Sequence, residues 1–478
     1  MCEVQQTAGH VERGSPDSDL SGAGIKALFS GALAEVLEDI KPSGGVLIIP
    51  PDITRFHSRG GLLACAAAEA LEKRKIRFAV LPALGTHRAM SAAETRRMFP
   101  GIPEQRFLVH DWRNGPVELG RLEADWVAGV TEGAVRFDWP VQVNRLLRDG
   151  GAGLGGPPSL IISIGQVVPH EVTGMSGHGK NILVGCGGKE AIDRSHFAGA
   201  LYGMERILGR TDTPVRRFFD EGIRRFGGLL PPVFWALTVL SPKSAGERAA
   251  AGGTAPGRAA VQNAALEEGG DNLAVRGLYT GFGRDCFEKA AALARRVNVE
   301  LLEEPVQKAV VYLDPEEFRS TWLGNKAVYR LRMAMAGGGE LVILAPGLER
   351  FGEDGEIDAL IRKHGYRPAA EIQERTAKDE ALGSCPAAAA HLIHGSPEGR
   401  FTVRYCPGTR PGGPSLSRGE IESVGYEWGD LDEALARYGA PETRPGWNIR
   451  GGERFFYAPN PALGLWAAAE KAAGLSDG

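Results

Sequence analysis

Residues 170–180 read His-Glu-Val-Thr-Gly-Met-Ser-Gly-His-Gly-Lys, and His196 follows sixteen residues after Lys180. Two histidines, a lysine and several glycines thus come soon after an apolar run, Leu160–Gly165. Two further polar loops, Asp52-Ile-Thr54-Arg55 and Gly85-Thr-His87-Arg88, each follow an apolar run as well. Reactive side chains at the ends of buried strands are where open α/β sheets bind ligands. Histidine is the side chain best suited to move protons near neutral pH, and His87 and His170 on opposite sides of one carbon would serve a reaction at both faces. Arg55 offers a bidentate fork for a carboxylate or phosphate. Lys180, if desolvated, becomes a nucleophilic amine.

Other chemistries fit these residues less well. Gly174–Asn181 approaches the phosphate-loop pattern GxxxxGK[ST], but Asn181 stands where a Ser or Thr must hold Mg²⁺, and the loop starts about nine residues after its strand. Its glycines still leave backbone N–H groups for a phosphate. His170, His178 and His196 are spaced by eight and eighteen residues, which is no zinc motif, although one of them could serve as a single metal ligand. His391 and His394 lie one helical turn apart beside alanines and read as a partly exposed helix face. The basic stretch from Arg216 to Phe226 (RRFFDEGIRRF) reads as a solvated helix face. The six cysteines form no CxxC pair, so neither a zinc ribbon nor a disulfide framework is indicated, and Cys186 reads as a small loop residue.

The elements that must position these loops are legible. Residues 45–50, 76–82 and 159–165 are short β-branched apolar runs of the kind found in buried parallel strands. Between the first two, Gly61–Lys73 is a strong helix by propensity, which makes one βαβ unit. A short helix is expected at 91–98 and strand-like pieces near 126–137. A loop and surface helix are expected over 242–272. A helix from Asp285 to about Val297 has a capping-box form, Asp285 with Glu288. A second α/β pattern follows: a strand at 308–313, a helix over 316–335 closed by Gly337–Gly339, and a strand at 341–345. The expected class is α/β, with two α/β domains, mostly parallel sheets and an active-site cleft between domains. The expected divisions are a disordered tail over 1–24, an N-terminal domain over 25–303, a C-terminal domain over 304–460, and a helix over 461–478 packing back on the first domain.

At 478 residues, 43% hydrophobic and 24% charged, the chain has the composition of an ordinary soluble globular protein. A net charge of −4 gives no bulk drive toward nucleic acid or an anionic membrane. No apolar run reaches the roughly 18 residues needed to span a bilayer. The first 24 residues have neither a basic start nor an apolar signal core, so the expected location is the cytoplasm.

Taken together, these loops resemble the nickel-pincer lactate racemase family, specifically from about residue 45 to 200 and weakly to near 460. The family's Asp-x-Thr-Arg, Gly-Thr-His-Arg and Pro-His motifs appear at Asp52–Arg55, Gly85–Arg88 and Pro169-His170, with Lys180 ten residues on and a metal-binding histidine at His196. The resemblance implies racemisation or epimerisation of a 2-hydroxy acid through a keto acid. It implies a nickel-pincer nucleotide, a nicotinic-acid-derived mononucleotide with two sulfur arms and Ni, joined to Lys180 by a thioamide and contacted by Asp52, Thr54, Gly177 and Gly179. His196 would be the nickel ligand, His87 and His170 the general bases, and Arg55 the carboxylate holder. Enzymes that build the cofactor and insert nickel would be partners. Some positions depart from the family. His178 stands where a glycine is usual, and would face substrate or cofactor or merely occupy a turn. Leu183–Cys186 replaces a usual Pro-Gly. The Tyr-Gln-x-x-Lys substrate motif becomes Trp322-Leu323-Gly-Asn-Lys326, which keeps the charge at Lys326 but makes the pocket more apolar. A larger or more apolar acid than lactate is therefore expected. The competing readings are a non-catalytic carboxylate- or nucleotide-binding protein on the same scaffold, and a phosphate-binding hydrolase or kinase.

Overall fold

A computed structural model describes residues 8–151, 153–243, 247, 273–410, 413–459, 461 and 464–472. The chain divides into two compact units, one of residues 1–195 with 209–297, the other of 196–208 with 298–477. The segment 196–208 thus belongs with the second unit, although it lies inside the stretch expected to form one N-terminal domain. The division falls within a single helix, Lys189–Tyr202.

The first unit is built on a six-stranded sheet. In chain order its strands are β1 (Val11–Gly14), β2 (Val46–Ile49), β3 (Phe78–Val80), β4 (Leu160–Gln166), β5 (Val233–Pro242) and β6 (Leu273–Gly281). Their order across the sheet is β1-β6-β5-β4-β2-β3, with β3, β2, β4 and β5 mutually parallel, β6 antiparallel to β5 and β1 antiparallel to β6. Every residue of β2, β3 and β4 is buried. Strands covered on both faces need continuous rather than alternating apolar residues, which is why these runs were visible in the sequence. Helices α1 (Gly22–Ile40) and α2 (Gly60–Lys73) cover one face through Phe29, Leu33, Leu63 and Leu71. Each fully buried leucine contributes roughly 1.5–3 kcal/mol.

The second unit has its own six-stranded sheet. Its strands run 427–428, 401–407, 335–345, 306–312, 453–458 and 446–450 across the sheet, parallel throughout except for the last pair. A separate core forms around Val311, Leu341, Ile343, Val403 and Tyr405.

Several expectations are corrected. Residues 11–14, placed in the disordered tail, form edge strand β1 against β6, and Ser21 caps α1 by accepting from the Gly24 N–H at 3.0 Å. The region 126–137 holds the end of a short helix, Ala124–Val130; the strand comes later, at Trp139–Asn144. Backbone bonds from the Phe287 and Glu288 N–H groups to the Arg284 carbonyl put Asp285 inside the first turn of its helix rather than at the cap. The long helix over 316–335 is instead two short ones, Thr321–Gly324 and Lys326–Leu331, and Gly337–Gly339 lie in the following strand. Residues 465–468, expected to be helical, form a strand parallel to 299–302 within the second unit. Tertiary packing overrides the helix propensity of the alanines here: Leu465, Ala467 and Ala468 are fully buried beside a Trp466 indole that donates to Glu300 at 2.7 Å. The loop and helix expected over 242–272 lie almost wholly outside the described residues.

Candidate active site

The sheet order explains why three loops distant in sequence share one site. The chain runs from β2 to β3 on one side, then returns to place β4 on the other side of β2. Loops leaving the C-terminal ends of β2 and β4 therefore diverge, which opens the crevice where open α/β sheets bind ligands. The loop after β2 carries Asp52, Thr54 and Arg55. The loop after β3 carries His87. The loop after β4 carries His170, Gly177, His178, Gly179 and Lys180.

Asp52 organises the first loop. It caps the short 3₁₀ helix Ile53–Ser58, its Oδ1 accepting from the Thr54 N–H at 3.2 Å and from Thr54 Oγ1 at 2.5 Å. Its other oxygen meets His87 Nδ1 at 2.7 Å. Burial would raise the Asp52 pKa, but the hydrogen bond and charge of His87, with Thr54 and Arg55, outweigh it and hold the carboxyl below its ordinary range. An ionised carboxylate only accepts, so His87 Nδ1 carries the proton and Nε2 presents a lone pair. This is the arrangement by which a buried aspartate orients a histidine base. The His87 side chain is half-exposed.

His170 is presented in the opposite sense. It lies in a two-residue strand, Pro169-His170, paired with Gly174-Met175, and is buried. Its Nδ1 accepts from the Val172 N–H at 3.2 Å, so the neutral ring carries its proton on Nε2. One histidine is thus set to accept a proton and the other to give one.

The glycine-rich segment is held tightly. Ser176 donates from Oγ to the Gln166 carbonyl at 2.7 Å and accepts from the Val168 N–H at 3.1 Å. Gly177 has φ +84°, and a Cβ there would also crowd Val167 and the Gln166 carbonyl at 3.2 and 3.3 Å. Lys180 opens onto a one-turn π-helix, Asn181–Gly185, a form concentrated at functional sites. The Asn181 amide donates to the Ile164 carbonyl at 2.8 Å, and a side chain at Gly165 would displace it, the Cβ falling 2.9 Å from Asn181 Nδ2. That use of Asn181 leaves the magnesium position of a phosphate loop unfilled. The π-helix also fixes the loop after β3, since the Gly85 N–H donates to the Gly185 carbonyl at 2.9 Å.

Lys180 is partly buried and its pKa falls to about 8. Loss of solvent is the largest cause; the Arg55 charge lowers it further, Glu171 opposes, Arg216 lowers and Asp52 opposes. The charges that reach Lys180 thus come from the loop after β2, from its own loop and from the helix that carries Arg216.

Arg216 is a residue the sequence reading missed. The helix Pro214–Phe226 does expose Arg217 and Arg224, but Arg216 is fully buried. Its guanidinium donates to the Met175 carbonyl and, at 3.3 Å, to the Gly177 carbonyl, and lies 4.4 Å from the Phe287 ring. Burial pulls its pKa down to about 9. A basic residue beside Phe218 and Phe219 on the apolar side of that helix was the available signal.

His178 is buried rather than on an exposed turn, with φ +52°. Its ring lies 4.2 Å from Trp235 and 5.5 Å from Phe287. Burial, then the charges of Arg216 and Arg284, press its pKa well down, with the Gly283 backbone opposing, so the ring is neutral. Its packing is that of an aromatic wedge behind the loop.

The remaining expected residues lie in the second unit. His196 is partly buried on the helix Lys189–Tyr202. Lys326 lies 3.7 Å from Glu317 and over the Phe318 ring. Trp322 packs 4.3 Å from His391. His391 and His394 are buried, not on an exposed face; His391 joins the Tyr329 and Tyr366 hydroxyls at 2.9 and 3.1 Å. Cys186 is buried and its thiol pushed far up, which leaves it inert. Among the described residues no three His, Cys, Asp or Glu side chains gather as a metal site, and no helix is long and apolar enough to cross a membrane.

An α/β protein with polar loops at its sheet's switch point is a broad class, and comparison narrows it. Residues 25–206 match the sequence profile of the lactate racemase N-terminal domain, and this stretch contains every first-unit residue singled out in the loops. The resemblance read from the loops is thus shared by the whole segment. The fold is similar to a crystal structure of a Thermotoga maritima protein, with a TM-score of 0.71 and 25% identity over 94% of this chain and 100% of that one. It is also similar to the lactate racemase apoprotein of Thermoanaerobacterium thermosaccharolyticum, with a TM-score of 0.63 and 16% identity over 90% and 88%. No curated protein matches the chain.

Proposed function

We propose that this protein is an isomerase that racemises or epimerises a 2-hydroxy acid, using a nickel-pincer nucleotide attached at Lys180. The observation that carries the reading is the lysine itself. An amine with a pKa of about 8, set among Arg55, Asp52 and Glu171 at the sheet's switch point, is suited to acylation rather than to a surface ion pair. That chemistry fits the thioamide link. His196 would supply nickel with one nitrogen, and the Gly174–Gly179 backbone and Thr54 would hold the nucleotide.

When bound, the cofactor supplies reversible hydride acceptance, which no side chain offers. The chain does the rest. Arg55 grips the substrate carboxylate. His87, its Nδ1 proton committed to Asp52, takes the hydroxyl proton at Nε2 on one face. His170, with its proton on Nε2, returns one on the other face, and the roles exchange in the reverse direction. Asp52 sets the His87 tautomer. Trp322 and Leu323 favour a larger or more apolar acid than lactate, and Lys326 adds positive charge for it. The enzymes that assemble the cofactor and insert nickel are its implied partners.

The test is intact mass and nickel content after co-production with those enzymes, followed by incubation with single enantiomers of 2-hydroxy acids. A mass increment mapped to Lys180, about one nickel and formation of the opposite enantiomer are expected. Loading without any interconversion favours a non-catalytic binding protein.

A further inference from the structure

The second unit contains a cavity of about 380 Å³ that shares no residue with the loops described above. This is the small end of ligand pockets. Its polar wall carries three guanidiniums, Arg206, Arg332 and Arg400, against two carboxylates, Glu205 and Glu398. Arg332 is 5% exposed. Its Nε donates to Glu205 at 3.1 Å and its Nη1 to the His394 carbonyl at 3.3 Å, and its Nη2 has no hydrogen bond among the described residues. Arg400 leans on the same Glu205 carboxylate. Arg206 lies on the Tyr202 ring, 3.9 Å away, and donates to its hydroxyl at 2.9 Å. Glu398 spends one oxygen on the Ala369 N–H at 3.2 Å. The opposite wall is apolar, formed by Leu201, Met204 and Ile393.

We propose that this cavity is a binding site for a small organic monocarboxylate, separate from the site around Lys180. One carboxylate shared by two guanidiniums leaves them undersatisfied, and a buried guanidinium with an open donor is costly unless an anion meets it. Arg332 and Arg400 converge on the single Glu205 carboxylate, so a second carboxylate entering the cavity would meet two guanidiniums. The planar fork of Arg332 suits a carboxylate, and the apolar wall suits a short hydrocarbon body. The site stands whether or not the chain is an isomerase, because none of its residues belongs to the proposed machinery.

The experiment is titration calorimetry of the full chain without cofactor, in an R55Q/K326Q background that removes the carboxylate contacts of the proposed active site. Isovalerate is the probe and inorganic phosphate the control. Saturable binding of one equivalent of isovalerate is expected, weakened about tenfold or more by adding Arg400→Gln or Arg332→Gln, with phosphate much weaker. Arg400 is half-exposed, so R400Q carries the test if R332Q folds poorly. Absence of binding in the R55Q/K326Q protein, binding unchanged by R400Q, or phosphate binding as tightly as isovalerate would each overturn the proposal.

Discussion

Lys180 is the residue whose state depends most on its surroundings. Its folded pKa of about 8 lies below the ordinary 10.5, so between those values the unfolded chain binds more protons than the folded one. The unloaded protein's stability should therefore rise with pH across that window, and below it the fold bears the cost of a desolvated charge. Lys180→Met should stabilise the unloaded protein at pH 7 by on the order of 1–3 kcal/mol, a gap that closes toward pH 10.5. Urea midpoints across the range measure this; a gap independent of pH would mean that the amine is not perturbed. Asp52 works in the other direction. Its lowered pKa contributes stability that is present above its unfolded value and lost as pH falls through the folded one. Asp52→Asn should also reverse the His87 tautomer, so that interconversion falls by roughly 10²–10⁴-fold, as for H87A. Chiral chromatography of products reads this, and an undiminished rate would remove the dyad from the mechanism.

At the scale of elements, the glycine-rich loop is held by its ends and from behind. Ser176 and Asn181 bond it to the exit of β4, and Arg216 bonds its carbonyls from the helix packed against it. Gly177→Ala meets both a left-handed backbone and a crowded Cβ, so a loss of about 1 kcal/mol or more is expected, with slower mass increment at Lys180. Arg216→Met strips donors from two buried carbonyls and should cost about 2–4 kcal/mol in denaturant unfolding. A Met variant as stable as the parent would show that the loop holds its shape without the clamp. The strands and α2 were legible because runs buried on both faces and an alanine-rich helix carry strong local signals. The helix over 316–335 and the C-terminal helix were misread because helix propensity yields to burial. Trp466 and Leu465 find more to pack against as strand residues.

At the scale of the whole molecule, substrate choice is the quantity to measure. On the proposed reading, Trp322 and Leu323 stand in the substrate pocket where the family carries polar residues, so 2-hydroxy acids with branched or longer side chains should be interconverted with higher kcat/KM than lactate. Each methylene accommodated adds about 1–3 kcal/mol of discrimination. Equal or better turnover of lactate would sink this expectation. Removing nickel from the loaded protein should abolish interconversion while leaving the unloaded fold's thermal transition in place, since the buried clusters of both units are apolar and need no metal.

The candidate residues were picked out by the sequence alone. Asp52, Arg55, His87, His170 and Lys180 stand out because each follows a buried strand, and reactive side chains in loops are conspicuous against apolar runs. Tertiary structure decided their states. The order β4-β2-β3 brought the loops to one switch point. The Asp52–His87 contact spans 35 residues, and the Val172 N–H fixed the opposite proton on His170. The burial of His178 was equally invisible, since it sits in glycine-rich sequence and packs against Trp235 and Phe287, while Arg216 left only the hint of a basic residue beside Phe218 and Phe219. Protonation, tautomer and desolvation depend on which distant atoms come within a few ångströms, and no local pattern encodes that distance.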